Sequence, residues 1–285
     1  MNIGKFKLTV IETPQFGLDG GAMFGVVPKT LWTRAYQEPD EKNRIPLTAR
    51  LLVVEWDDKK MLLDTGLGDK FDEKFAKIYG VDKSQSSIEL ALQKKGFKTE
   101  DITDVVLTHL HFDHVGGATK FDSNGNVIPT FENAKYYVQK DQYEWALNPS
   151  IKDRASFIND NYVPLKEEGL IEFTDGEGEL FPGVSMLPIN GHTKGQQMIK
   201  LHDENKSLLY LADLAPTTAH IMPAYGMGYD NTPLDTIAEK EKYFPTAFDE
   251  KSIIFFEHDA FTEACYLEEN PRGGFIAGEK IKISD

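Results

Sequence analysis

Cysteine is almost missing. Cys265 stands alone among 285 residues, so no intrachain disulfide can form and a Cys-rich structural zinc site is excluded. No run of about 18 apolar residues occurs, which leaves nothing long enough to span a bilayer as a helix. The opening MNIGKFKLTVIET alternates like a strand and lacks the apolar centre of a signal peptide. Positive charge is also short: 31 Lys and Arg face 46 Asp and Glu, for a formal net charge of -15. Nucleic-acid binding calls for a clustered positive surface, so that partner class is set aside. With no low-complexity tract, short repeat or Gly/Ser-rich linker, the chain reads as one domain over 1–285. What remains is a cytoplasmic enzyme or binding protein, with neither nucleic acid nor membrane as partner.

Hydrophobic residues at 40% and aromatics at 11% suit a globular core. Residues near 5–12, Arg50–Trp56 and Lys60–Leu63 read as strands, the last two paired around an Asp57-Asp58 turn. A helix is expected over Ser87–Lys95, with Ser86 and Glu89 at capping-box spacing and Gly96 at its stop. Further helices are expected over Lys140–Leu147 and Pro233–Phe244, the latter with Thr232 as N-cap. The run Glu239-Lys240-Glu241-Lys242 reads as a solvated helix face, His202 as part of an exposed hairpin turn, and Cys265 as a small buried hydrophobe.

Four short apolar runs carry more information. Val105-Val106-Leu107, Met186-Leu187-Pro188-Ile189, Leu208-Leu209-Tyr210-Leu211 and Ile253-Ile254-Phe255-Phe256 each look like a buried strand. Each is followed within a few residues by a His or Asp: His109, His192, Asp213 and His258. Functional groups on loops at strand ends, held by a rigid sheet, converge on one site in many α/β folds.

The stretch THLHFDHVGG from Thr108 places His109, His111, Asp113 and His114 within six residues, using three of the chain's seven histidines. In extended backbone His109 and His111 share a side, while Asp113 and His114 follow as the chain turns toward Gly116-Gly117. One loop can therefore serve two metal ions, a recurring hydrolytic device. Imidazole and carboxylate without thiolate suit two divalent ions, zinc first, with Mn, Fe or Co open. Such ions acidify a bridging water and polarise a carbonyl or phosphoryl oxygen, and a nearby carboxylate, most simply Asp113, orients the hydroxide or takes its proton.

With GHTKG at 191–195, LADLAP at 211–216 and FFEHDA at 255–260, the stretch resembles the metallo-β-lactamase superfamily. The resemblance runs from Leu63-Asp64-Thr65-Gly66 to His258. It implies an α/β fold of the αββα sandwich type, two mixed sheets face to face with helices outside. It also implies that His109, His111 and His192 hold one metal, that Asp113, His114 and His258 hold the other, and that Asp213 bridges both. Asp64 resembles the family's buried Asp that braces the His loop.

Within that superfamily, GGAMFGVVPKTLW (20–32), NRIPLTARLLVVE (43–55) and ADLAPTTAHI (212–221) are similar to the group containing quorum-quenching N-acyl-homoserine lactonases and methyl parathion hydrolase. The resemblance implies a hydrolase of ester-like bonds with a lactone as leading substrate, and a homodimer. Phosphotriester or aryl ester hydrolysis and a glyoxalase II-like thioesterase are the alternatives. Some lactonase-like members carry a Tyr three residues after the bridging Asp, where this chain has Pro216. His220, Tyr225 or Tyr229 would have to supply its group. His220 is the catalytic candidate for proton transfer, against the alternative of an ordinary loop histidine. Met23, Phe24 and Trp32 could equally wall a substrate pocket or pack a core.

Overall fold

A computed structural model describes residues 1–283. The strand Leu51–Trp56 shows how the layers arise. Side chains alternate along a strand, so Leu51 and Val53 enter one core while Leu52, Val54 and Trp56 enter another. A strand apolar on both faces has to be covered on both. It pairs with Lys59–Leu63 across Asp57-Asp58, and Asp57 takes the positive φ of a tight turn.

Both main sheets have seven strands. The first runs Asn2–Ile3, Phe6–Ile11, Leu51–Trp56, Lys59–Leu63, Asp104–Val106, Lys135–Gln139, Ile171–Thr174. The second runs Gly178–Phe181, Val184–Ile189, Gln196–His202, Ser207–Tyr210, Ile253–Phe255, Ala264–Glu269, Phe275–Ile281. Between them Val10, Leu52, Leu63 and Val106 meet Ile199, Leu208, Tyr210 and Phe255. Outside the first sheet lie the helices Ile88–Gln93, Lys140–Leu147 and Val163–Glu167, contributing Ile88, Leu92, Ala146 and Leu165. Outside the second, Pro233–Asp249 buries Phe244 and Ala247 against Leu209, Ile254 and Cys265. The order is helix, sheet, sheet, helix, an αββα sandwich.

The site follows from strand direction. Lys59–Leu63 and Asp104–Val106 are parallel, so their C-terminal ends bring Asp64 beside Thr108 and His109. In the second sheet Val184–Ile189, Ser207–Tyr210 and Ile253–Phe255 all run one way, through two antiparallel pairings and one parallel pairing. Their ends deliver His192, Asp213 and His258 to the same rim.

Three local expectations need correction. The helix at Ile88 has Ser87 at its N-cap with no side-chain cap bond, and the Ser86 hydroxyl donates to Lys83 O, closing the preceding turn. Thr232 stands at the N-cap of the helix Pro233–Asp249 as expected, although its hydroxyl donates to the Asn190 and Gly191 carbonyls and makes no cap bond. That helix continues through Pro245 to Asp249, and the apolar area buried by Phe244 and Ala247 offsets the missing N–H. The Glu239–Lys242 run is no simple solvated face. Glu239 accepts from the Asn190 and Gly191 N–H groups, and the fully buried Lys240 donates to Tyr225 O at 2.9 Å. Charge runs read as solvated only where nothing packs over them.

Candidate metal centre

The His-rich loop is built by its neighbours before any ligand is considered. Asp64 Oδ1 accepts from Thr108 N at 2.7 Å, and Oδ2 accepts from the Thr108 hydroxyl at 2.6 Å. The same Oδ2 lies 3.0 Å from His114 Nδ1. Asp64 sits at φ +55°, a left-handed conformation that Asp tolerates better than most residues. Gly116 and Gly117 let the loop lie against the strand end. A Cβ on Gly116 would stand 1.9 Å from Leu67 O, and one on Gly117 would stand 2.3 Å from Thr65 O. The opposite sheet holds the loop as well: Gln197 donates from its backbone to Thr108 O and from its side chain to Leu107 O, both at 2.9 Å.

The loop's four candidate ligands and their three distant partners come together as two adjoining groups. His109, His111, His192 and Asp213 form one, and Asp113, His114 and His258 form the other, all buried. In the first, His111 Nδ1 stands 3.1 Å from His109 Nε2 and 3.0 Å from His192 Nε2. In the second, His258 Nε2 stands 3.0 Å from His114 Nε2 and 3.8 Å from Asp113 Oδ2. Asp213 faces both. Its Oδ2 lies 3.1 Å from His192 Nε2 and 3.9 Å from His109 Nε2, while its Oδ1 lies 3.2 Å from His258 Nε2 and 3.7 Å from His114 Nε2.

These residues fit divalent metal ions. Two imidazole nitrogens 3 Å apart can share at most one proton, yet three such contacts occur here. The outward nitrogens are already assigned: His109 Nδ1 to the Thr108 hydroxyl, His192 Nδ1 to Asp230 Oδ1, His258 Nδ1 to Thr48 O. Each of these contacts turns the Nε2 lone pair inward, as outer partners of metal ligands do. Asp213 Oδ1 has no hydrogen-bond partner. Burial, reinforced by neighbouring histidines, holds His109 and His111 well below the usual histidine pKa, which keeps them neutral and able to ligate. Burial also pulls on His258, but the Asp213 carboxylate outweighs it and lifts that group to about 9.

A cavity of about 200 Å³ opens over the site. His111, Asp113, His192, Asp213 and His258 line its inner part, with Met23, Tyr79, Lys152 and Tyr229 among the other walls. The substrate-side candidates separate here. Tyr229 reaches the cavity, whereas Tyr225 packs edge-on against Phe24. His220 is fully buried and absent from the lining. Its Nδ1 pairs with the Thr217 hydroxyl at 2.7 Å, its Nε2 with Met23 O at 2.8 Å, and its ring stacks on Phe24 at 4.6 Å. Burial, with Lys240 adding to it, holds His220 at about 4. Met23 walls the cavity, while Phe24 and Trp32 stack on each other in the core behind it.

Several site residues carried no signal in the sequence. Asp230 orients His192, and Lys152 lines the cavity while donating to the Tyr229 and Asp230 carbonyls. Glu257 lies buried 3.1 Å from His114 Nδ1. Only its place beside His258 could have marked Glu257.

The chain is similar to several known proteins. A model of the metallo-beta-lactamase superfamily matches residues 50–248. The N-acyl homoserine lactonase AiiA of Bacillus thuringiensis subsp. kurstaki is 28% identical over 232 residues, covering 78% of this chain and 84% of that protein. The crystal structure of a probable metal-dependent hydrolase from Staphylococcus aureus is 29% identical, with a TM-score of 0.86 over 99% of this chain and 100% of its own. AidC, a dizinc quorum-quenching lactonase solved with a product, is 21% identical with a TM-score of 0.80, covering 99% of this chain and 97% of that one. At that identity the likeness speaks for the fold alone.

Proposed function

The chain belongs to the metallo-beta-lactamase superfamily and is a hydrolase of it; from that premise we propose that it opens a lactone, of the N-acyl-homoserine lactone type, with the help of two divalent metal ions, zinc first. The observation that carries this reading is the placement of Asp213, with one carboxylate oxygen toward each histidine group at the floor of a small cavity. His109, His111 and His192 would hold one ion, Asp113, His114 and His258 the other, and Asp213 both. Bound there, the pair would supply a hydroxide near neutral pH and a Lewis acid for the substrate carbonyl.

The remaining roles fall to this chain's own groups. Asp113 lines the cavity beside His258 and can orient the attacking water or accept its proton. Tyr229 takes the part that Pro216 cannot. Burial pushes its phenol up to about 12, so it stays protonated and can donate to the carbonyl or leaving oxygen. His220, with both nitrogens engaged inside the fold, braces the wall behind Met23 and does not transfer protons. The lactone assignment draws on the relatives named N-acyl homoserine lactonases. Opening such diffusible acyl lactones would amount to quorum quenching. A single cysteine, with no intrachain disulfide possible, fits a reducing, cytoplasmic setting.

A turnover panel on metal-analysed protein tests this. Acyl-homoserine lactones, paraoxon-type esters and S-lactoylglutathione would be compared, with and without a chelator. Lactone opening lost on chelation and restored by two metal equivalents is the expected result. Turnover of the thioester or phosphotriester alone would overturn the lactone reading, and chelator-resistant turnover would overturn the metal one.

A further inference from the structure

Beside the metal cavity lies a groove of about 800 Å³ that shares three walls with it: Leu18, Tyr79 and Tyr229 line both. The groove's floor is apolar, and Ile78, 52% exposed, contributes a large hydrophobic surface with nothing over it. Its rim is basic. Lys42, Arg44, Lys74 and Lys77 line it against only Asp19 and Glu73, in a chain whose net charge is -15.

Both acids keep their charge, but their oxygens are turned to local partners. Asp19 Oδ1 accepts from Ala22 N at 2.8 Å and Oδ2 from the Asn43 amide at 2.9 Å. Glu73 sits in the first turn of its own helix, where the dipole favours a carboxylate. Among the bases, Arg44 is paired with Asp40 at 2.7 Å and donates to Lys77 O and Ile78 O. It thereby pins the helix Glu73–Tyr79 to the strand Arg44–Leu47. Lys42, Lys74 and Lys77 take part in none of the ion pairs among the described residues. The wall is braced, and three of its cations are uncommitted.

We propose that this groove is the subsite for the far arm of the substrate, and that the arm is an apolar chain ending in an anion such as a carboxylate. The reading rests on the neighbouring cavity being where the reacting bond sits. A neutral acyl tail would use only the floor contributed by Leu18, Ile78, Tyr79 and Tyr229. The three lysines would then face water in a protein otherwise dominated by acidic charge. An anionic terminus uses both features, and a positive rim in a negative protein also guides such a molecule inward.

Calorimetric titration of the metal-loaded protein with decanoate and decanedioate isolates the point, because the two acids differ only at the far end. Two identical ends favour the diacid two-fold by counting alone. The expected preference at low salt is about five-fold or more, from two exposed charge contacts, shrinking to the counting value near 1 M salt. Lys74→Glu/Lys77→Glu, on the exposed face of its helix, should erase the excess while leaving decanoate affinity within about two-fold. Lys42→Glu, on a separate segment, should reduce the excess in part. A wild-type preference of two-fold or less, or one untouched by these substitutions, overturns the proposal. A protein with the charge preference but no lactone turnover keeps this subsite and loses the proposed reaction. Lactone turnover without the preference does the reverse.

Discussion

Glu257 Oε2 lies 3.1 Å from His114 Nδ1, with both side chains shut off from solvent. Asp64 Oδ2 stands 3.0 Å from the same nitrogen. One N–H cannot satisfy two carboxylates, and both Glu257 oxygens are left without a well-aligned hydrogen bond. Burial, opposed by His114 and reinforced by Asp64, pushes Glu257 up to about 7. In the folded state the group therefore holds a proton between the ordinary glutamate value of 4.5 and about 7 that the unfolded chain releases. Its contribution to stability is present below that window and is lost as pH rises through it. Urea unfolding in a chelator should show the stability of metal-free wild type falling relative to that of Glu257→Gln as pH rises from 5 to 7.5. Asp64→Ala, which removes the carboxylate hydrogen-bonded to His114 Nδ1, should weaken metal affinity by about 10–100-fold. An unchanged slope in the Gln variant would mean that Glu257 does not titrate there.

His258 gives the metal-free and metal-loaded protein opposite pH responses. Its folded pKa of about 9 stands above the ordinary histidine value of 6.5. The stability it contributes is complete below 6.5 and lost as pH climbs toward 9. A metal must displace that proton, so apparent metal affinity should rise over the same range. His220 acts on the other side. Held at about 4, it contributes stability present above 6.5 and lost as pH falls toward 4. Melting temperatures in a chelator should fall from pH 6.5 to 9, while zinc affinity from chelator competition should climb. Parallel trends would contradict the pairing of His258 with Asp213.

Asp213→Ala should remove metal and activity together, because it takes an oxygen from each histidine group at once. Metal analysis after dialysis, beside turnover, checks it. The circular dichroism spectrum should stay native, since the cores between and outside the sheets do not include Asp213. Full activity in a well-folded variant would refute the bridging role.

The candidate metal centre was readable in the sequence because its candidate ligands are rare residue types at strand ends, and strand ends are legible from apolar runs. Val105–Leu107 and Ile253–Phe256 announce buried strands, and the His that follows each has little else to do. The packing around them was less legible. Lys240 and Glu239 sit in a run that looks solvated, yet Glu239 caps the Asn190–Gly191 turn and Lys240 reaches Tyr225 O, contacts made across 49 and 15 residues of chain. The direction His220 faces was hidden for the same reason: seven residues past Asp213 the chain has turned inward, placing the ring against Phe24. Local spacing reports which groups exist, and only the tertiary path decides which way a loop side chain faces.

Tyr229 and His220 can be told apart by paired substitutions. Tyr229 lines the cavity with a phenol that stays protonated. Tyr229→Phe removes one donor to the reacting oxygen and should lower kcat by about 100-fold. Its KM and melting temperature should change little, because the ring remains. His220 contacts the Thr217 hydroxyl, Met23 O and Phe24, and nothing in the cavity. His220→Gln should cost about 1–3 kcal/mol of stability by leaving buried partners unmatched. The kcat of that variant, measured below its melting range, should stay within a few-fold of wild type. Metal content should be intact in both proteins, so loss of the centre cannot imitate either result. The reverse pattern, a stable His220→Gln that is inactive beside an active Tyr229→Phe, would return the proton-transfer role to His220 and require the 217–231 segment to open during turnover.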